Sequence, residues 1–230
     1  MISKLISYSQ PPKGSVIALE TQEDNEILNN LISYCARVSA PDNQEDFVSG
    51  KRLIDYLIKH KHWSPLEMVS TCLEVDTPRD IARQFLRHRS FSFQEYSQRY
   101  ADPTKDLSFV IREARLQDPV NRQNSIECGP EDFELIVEWT RRQQACIDLA
   151  LETYTWAVGK NIAKECARVV LPEGNTMSRM NINGTVRSWV HYIDLRSSNG
   201  TQKEHMEVAR ACSTALMGIF PSIERYTHGE

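Results

Sequence analysis

The apolar positions change period several times along the chain, and each change predicts an element. Ile2 to Tyr8 alternates weakly, as a strand does, and leads into a turn-like Pro11-Pro12-Lys13-Gly14. Leu53, Ile54, Leu57 and Ile58 share one helical face, which predicts a helix ending near His60. From Val69 the period drops to two. Val69, Thr71, Leu73 and Val75 alternate with Ser70, Cys72, Glu74 and Asp76, which predicts a strand. A helix start follows, with Thr77 as N-cap, Pro78 as first helical residue and Asp80 completing an arrangement like a capping box. Ile81, Ala82, Phe85 and Leu86 form its apolar stripe, while Gln84, Arg87 and His88 share another face. That helix should deliver Arg87 and His88 together near its C-terminal end.

A long amphipathic helix is predicted from about Asp132 towards Gly159, carrying Leu135, Ile136, Trp139, Cys146, Leu149 and Ala150. Asn183-Gly184 predicts a turn before a shorter helix with Val186, Trp189, Val190 and Ile193, which Asn199-Gly200 should stop. A final helix carries Met206, Ala209, Cys212, Leu216 and Ile219. Helices dominate but strands are required, so the fold class is α+β. The expectation is a single domain over residues 1–230, with a mainly antiparallel sheet packed by several helices. Neither an internal repeat nor a linker divides it.

A chain of 230 residues is long enough to bury a core without metal or disulfide staples. Its net charge of -4 argues against a general binder of nucleic acid or membranes. No apolar run approaches the ~18 residues of a membrane span. Met1 to Gly14 lacks the pattern of a secretion signal. The six cysteines form no CxxC pair, which suggests free thiols and a cytoplasmic location. Basic charge is nevertheless concentrated at Arg79, Arg83, Arg87, Arg89 and Arg99, offset only by Asp80 and Glu95. In an acidic protein such a patch suits a small anionic ligand.

Phosphate-binding loops of the GxGxxG and GxxxxGK[ST] types and the GxSxG elbow are missing. His60-Lys61-His62 has no partner set with metal-ligand spacing, so no metal is expected. Gln84, Arg87, Ser97 and Arg99 could bind a phosphate and a sugar or base, with Ser97 and Arg99 on one side of an extended segment. The competing reading is a solvated arginine-rich surface. Interleaved Phe91, Phe93 and Tyr96 favour a ligand site over it.

Arg87-His88-Arg89, followed by Ser92, Ser97 and Arg99, resembles the signature of flavin-dependent thymidylate synthases: Arg-His-Arg, seven residues, then Ser. Cys35 to Ser39, His60 to Glu67, Ala163 to Pro172 and Arg187 to Arg196 resemble further segments of that family, in the same order. Gln94 and Thr185 stand where the family usually has Asn, and Met68 where it commonly has His.

The resemblance implies that Ser39, Ser64, Arg87, His88, Arg89, Glu95, Thr185, Arg187 and His191 contact FAD. It implies that Gln84, Arg87, Glu95, Ser97, Gln98, Arg99, Arg168 and Arg196 bind dUMP, with Arg196 polarising the pyrimidine. It also implies NADPH and methylenetetrahydrofolate as cosubstrates, and a homotetramer with shared active sites. Arg187 and Arg196 lie nine positions apart, about 180° around a continuous helix. They can face one ligand only if the helix ends first or different subunits contribute. Two other readings use the same segment: a nonenzymatic nucleotide- or RNA-binding protein, and a flavin-dependent methyltransferase acting on another uracil-containing substrate.

Overall fold

The computed structural model describes residues 2–17, 23–198 and 200–227. The predicted first strand is β1 (Ile2–Tyr8), and the alternating run becomes β2 (Ser70–Pro78). Between them lie α1 (Asp24–Ala36) and α2 (Gly50–Lys59), the latter capped at His60 as expected. α3 (Arg79–Phe85) follows β2 directly, then β3 (Phe91–Glu95) and the single-turn α4 (Pro103–Asp106). A small hairpin joins β4 (Arg115–Gln117) to β5 (Ser125–Glu127). The predicted long helix is α5 (Phe133–Gly159), followed by the short α6 (Lys164–Ala167). β6 (Met177–Thr185) runs straight into α7 (Val186–Ser197), and α8 (Lys203–Met217) completes the set. The α+β class holds.

The main sheet has the order β1-β2-β6-β3 and is antiparallel throughout. Its alternation decides which face is covered. Thr71, Leu73 and Val75 of β2 and Ser178, Met180 and Ile182 of β6 point into one core, where α1, α3, α7 and α8 supply Leu28, Phe85, Trp189 and Val208. On the opposite face, Arg179 reaches across the β2–β6 pair to Asp76 through two hydrogen bonds of 2.7 and 2.8 Å.

Two expectations fail for the same reason: strand pairing overrides local signals. Asn183-Gly184 is no turn. Both residues lie in β6, where Gly184 pairs with Thr71 and Phe91. A Cβ on Gly184 would sit 2.3 Å from the Phe91 ring, so the glycine serves a close approach. Thr77 is likewise no N-cap. The ladder continues through Thr77↔Ser178 and Pro78↔Met177, Pro78 takes the cap position, and Asp80 pairs with Arg112 at 3.1 Å. α3 ends at Phe85, so Arg87 and His88 lie just beyond it, held by Arg87 N–H to Gln84 O and His88 N–H to Phe85 O. Gly200 has the positive φ expected of a helix stop, while Asn199 lies outside the described residues.

Candidate functional site

The residues singled out by sequence gather in three places. The first lies where the loop after α3 meets α7 and α8. Arg196, in the last turn of α7, donates its Nε–H to His88 Nε2 at 3.1 Å. Gln84 places its Oε1 3.2 Å from His205 Nδ1 and donates Nε2–H to Gln202 Oε1 at 2.8 Å. His88 and His205 lie 6.3 Å apart, ring to ring. Burial, reinforced by the Arg196 charge, lowers the His88 pKa to about 4. Burial, then Arg196 and His88, lowers that of His205 to about 3. Both imidazoles are therefore neutral near pH 7, and Arg196 is the fixed cation among them. No carboxylate pairs with Arg196 among the described residues.

The second group surrounds the start of α7. Arg187 pairs with Glu67, which lies in the 3-10 turn Ser64–Met68. His191, one turn further, meets Trp63 edge-on at 4.7 Å. The His191 pKa is lowered by burial and by Arg187, against the opposing pull of Asp194. Thr185 is the N-cap of α7, its hydroxyl accepting the Ser188 N–H at 3.2 Å. α7 continues unbroken from Arg187 to Arg196, and the two arginines reach different partners on different sides of it.

The third group follows β3. Ser97 and Arg99 do not lie in an extended segment. Tyr100 and Ala101 both donate N–H to Ser97 O, and the Arg99 N–H reaches the Ser97 hydroxyl at 3.3 Å. A turn therefore forms here, directly after Tyr96 donates its N–H to Arg179 O of β6 at 2.8 Å. Arg99 pairs at the surface with Glu165 of α6 at 3.0 Å, which brings it towards Arg168 just past that helix. Gln98 is buried, with its Nε2 lacking a hydrogen bond.

Several expected residues behave differently. Glu95 is taken up by protein partners: Arg79 at 3.3 Å, Arg83 at 3.0 Å and the Ser178 hydroxyl at 2.8 Å. Arg87 and Arg89 are exposed guanidiniums without an ion pair among the described residues, and Ser39 and Ser64 are exposed as well. Trp63 and Glu67 stand within the family-like segment His60 to Glu67, and Gln202 just beyond that of Arg187 to Arg196, but none drew a role from sequence, and His205 was not singled out. His205 reads only as one polar residue in an amphipathic helix. Their proximity to the site is a tertiary fact.

Known proteins show similarity over nearly the whole chain. The family model described as thymidylate synthase complementing protein matches residues 5–222. A probable flavin-dependent thymidylate synthase of Paramecium bursaria Chlorella virus 1 is 44% identical over 225 residues, covering 98% of each chain. The flavin-dependent thymidylate synthase of Synechocystis is 47% identical over 195 residues, covering 84% of this chain and 86% of the relative. Among solved structures, the UMP/dUMP methylase PolB from Streptomyces cacaoi bound with 5-Br dUMP has a TM-score of 0.75 at 26% identity, covering 97% of this chain and 93% of its own. With the Arg-His-Arg segment placed between α3 and β3, and with matches extending from Leu5 to Ser222, the chain belongs to the thymidylate synthase complementing protein family, that of the flavin-dependent thymidylate synthases.

Proposed function

We propose that this protein methylates dUMP to dTMP, with methylenetetrahydrofolate as carbon donor, FAD as cofactor and NADPH as reductant. The observation that carries this reading is Arg196, a half-buried guanidinium whose neighbours are neutral imidazoles. A cation without a protein counter-ion suits a ligand that develops negative charge. Facing the pyrimidine, Arg196 favours loss of the N3 proton while its own charge stays fixed. Reduced FAD supplies the hydride that completes the new methyl group.

The donor chemistry also suits the ligands. Arg87 and Arg89 are exposed and free of ion pairs among the described residues, which suits a dinucleotide's phosphates, and Trp63 with His191 offers flat surfaces near Arg187. Ser39, Ser64, Glu95 and Thr185 join them in the FAD-contact set. Arg99 and Arg168, with Arg87, Ser97 and Gln98, serve the nucleotide. The exposed Arg99–Glu165 pair is of the weak kind that a phosphate can displace.

The assembly we infer is a homotetramer with sites shared between subunits. The continuous α7 supports sharing, because it splits the FAD-contact set within one chain: Arg187 lies beside Glu67, while His88 lies beside Arg196 on another side of the helix. Exposed Leu149 and Trp156 on α5 support a covering copy. Six free cysteines, and no described helix long and apolar enough to cross a membrane, accord with a cytoplasmic location.

The test is dTMP formation from dUMP, methylenetetrahydrofolate, NADPH and FAD under low oxygen, omitting one component at a time. Product that requires both FAD and NADPH supports the reading, while folded, FAD-loaded protein yielding none rejects it. UMP is the parallel substrate, because the Streptomyces cacaoi enzyme is named for both nucleotides. Arg196→Lys should retain FAD and lose about 10²-fold in turnover, since Lys cannot reproduce the planar fork. Unchanged turnover at saturating substrate would remove Arg196 from this role.

A further inference from the structure

The amide of Gln84 has its orientation imposed from a distance. Glu204, buried at the start of α8, takes Arg115 on Oε1 at 2.6 Å and Arg112 on Oε2 at 3.0 Å. Burial alone would raise its pKa, but its own backbone N–H, Arg112 and Gln202 outweigh that and hold it below the ordinary glutamate value. An ionised carboxylate accepts hydrogen bonds and donates none.

Every orientation beyond Glu204 then follows. Gln202 must turn its NH2 to Glu204 Oε2, at 3.0 Å. That leaves Gln202 Oε1 facing Gln84, which must answer with its own NH2, at 2.8 Å. Gln84 Oε1 is thereby turned to His205 Nδ1 at 3.2 Å, and this contact is a hydrogen bond only if Nδ1 carries the proton. His205 Nε2 is then a bare lone pair, buried and without a hydrogen-bond partner among the described residues. A carboxylate fixed by two arginines thus sets the direction of a four-residue chain: His205 to Gln84 to Gln202 to Glu204.

We propose that this chain locks Gln84 so that it shows the nucleotide base an N–H and never its carbonyl, which makes Gln84 the reader of a pyrimidine carbonyl oxygen and His205 the residue that positions it. The role rests on the dUMP reading. Uracil has a carbonyl oxygen where cytosine has an amino group, so a locked donor accepts the first and opposes the second. An unconstrained glutamine could flip and read either. His205 works through Gln84 and is a positioning residue.

Two measurements test the proposal. The FAD-loaded protein labelled with 15N-histidine should show His205 as the Nδ1–H tautomer by long-range 1H–15N correlation. An Nε2–H tautomer overturns the chain, whatever the substrate. Dissociation constants for dUMP and dCMP, measured on FAD-loaded protein, then test its consequence. His205→Leu should reduce the preference for dUMP about tenfold, the scale of one hydrogen bond. His205→Asn, which keeps a donor near the Nδ1 position, should restore it. Glu204→Gln, which can hydrogen-bond in either sense, should reduce it too and serves if His205→Leu fails to fold. Preference retained in the folded Leu or Gln variant overturns the proposal, as do equal losses in Leu and Asn accompanied by equal thermal destabilisation. Wild-type protein that does not favour dUMP overturns the substrate reading and this role with it, while the tautomer judges the chain separately.

Discussion

The two parts of this molecule solve the burial problem differently. The sheet with α3, α7 and α8 closes on itself: Phe85 stacks on Tyr192 at 4.1 Å and meets Phe91, Phe93 and Trp189 within 6.3 Å. α5 is the longest helix described, yet its buried positions are Gln143, Ile147, Ala150, Tyr154 and Ala157. Its Phe133, Leu149 and Trp156 are 67%, 65% and 59% exposed. One region supplies its own solvent-free surroundings, whereas the other offers apolar surface outward. The site candidates Arg196 and His88 belong to the self-sufficient body, whose packing fixes their geometry before any partner arrives.

The largest break in this contrast should come from inside the body. Phe85→Ala removes a ring packed among Tyr192, Phe91, Phe93 and Trp189 and should cost about 3–5 kcal/mol in urea unfolding. A loss below about 1 kcal/mol would mean that the aromatic cluster is not the keystone described. The next effect belongs to α5 and, in the proposed assembly, lies between chains. Leu149→Glu removes up to about 1.5–3 kcal/mol of apolar burial per subunit if a copy covers that face. Sedimentation velocity should show smaller species with unchanged far-ultraviolet dichroism. Wild-type assembly in the variant would place the covering surface elsewhere.

The same contrast marks what the sequence made legible. Period-two alternation revealed β2, because one face of that strand is apolar and the other polar. β6 escaped notice because Asn181, Asn183 and Gly184 imitate a loop, while their selection comes from the solvent face and from the Phe91 ring. Periodicity found α5 within a residue of each end, but Leu135, Trp139, Cys146 and Leu149 of its six anticipated core positions are exposed. A helical period says which residues share a face, not what covers it. At the site, Arg87 to Arg99 could be read because its residues are close in sequence. The pairing of Gln84 with His205 spans 121 positions and depends on how α8 docks against the loop after α3.

A smaller effect, again confined to the body, comes from acid. Above pH 6.5, His88 and His205 are neutral in both folded and unfolded chains. As pH falls below 6.5 the unfolded chain takes up protons, while the folded one holds His88 neutral to about 4 and His205 to about 3. Stability present above 6.5 is therefore lost through that interval. His205→Leu should flatten the dependence of the unfolding midpoint on pH between 6.5 and 4. An unaltered slope would show that His205 protonates as readily folded as unfolded. α5 contains no histidine and adds nothing to this term.

The smallest effect should be on chemistry when thiols are removed from either region. Cys212, in the body, is buried, and that burial raises its pKa to about 12. At neutral pH it is a thiol, and the thiolate is the nucleophile. Cys146 lies exposed on α5, away from the Arg196 cluster in the chain's connectivity. Cys212→Ala should weaken folding modestly through lost packing, and Cys146→Ser should leave it unchanged. Neither should alter dTMP formation by folded, FAD-loaded protein, because the proposed chemistry draws on fixed charge and on the flavin and uses no thiol. Abolished turnover in one such variant would assign a thiol to the reaction and move the chemical centre away from Arg196.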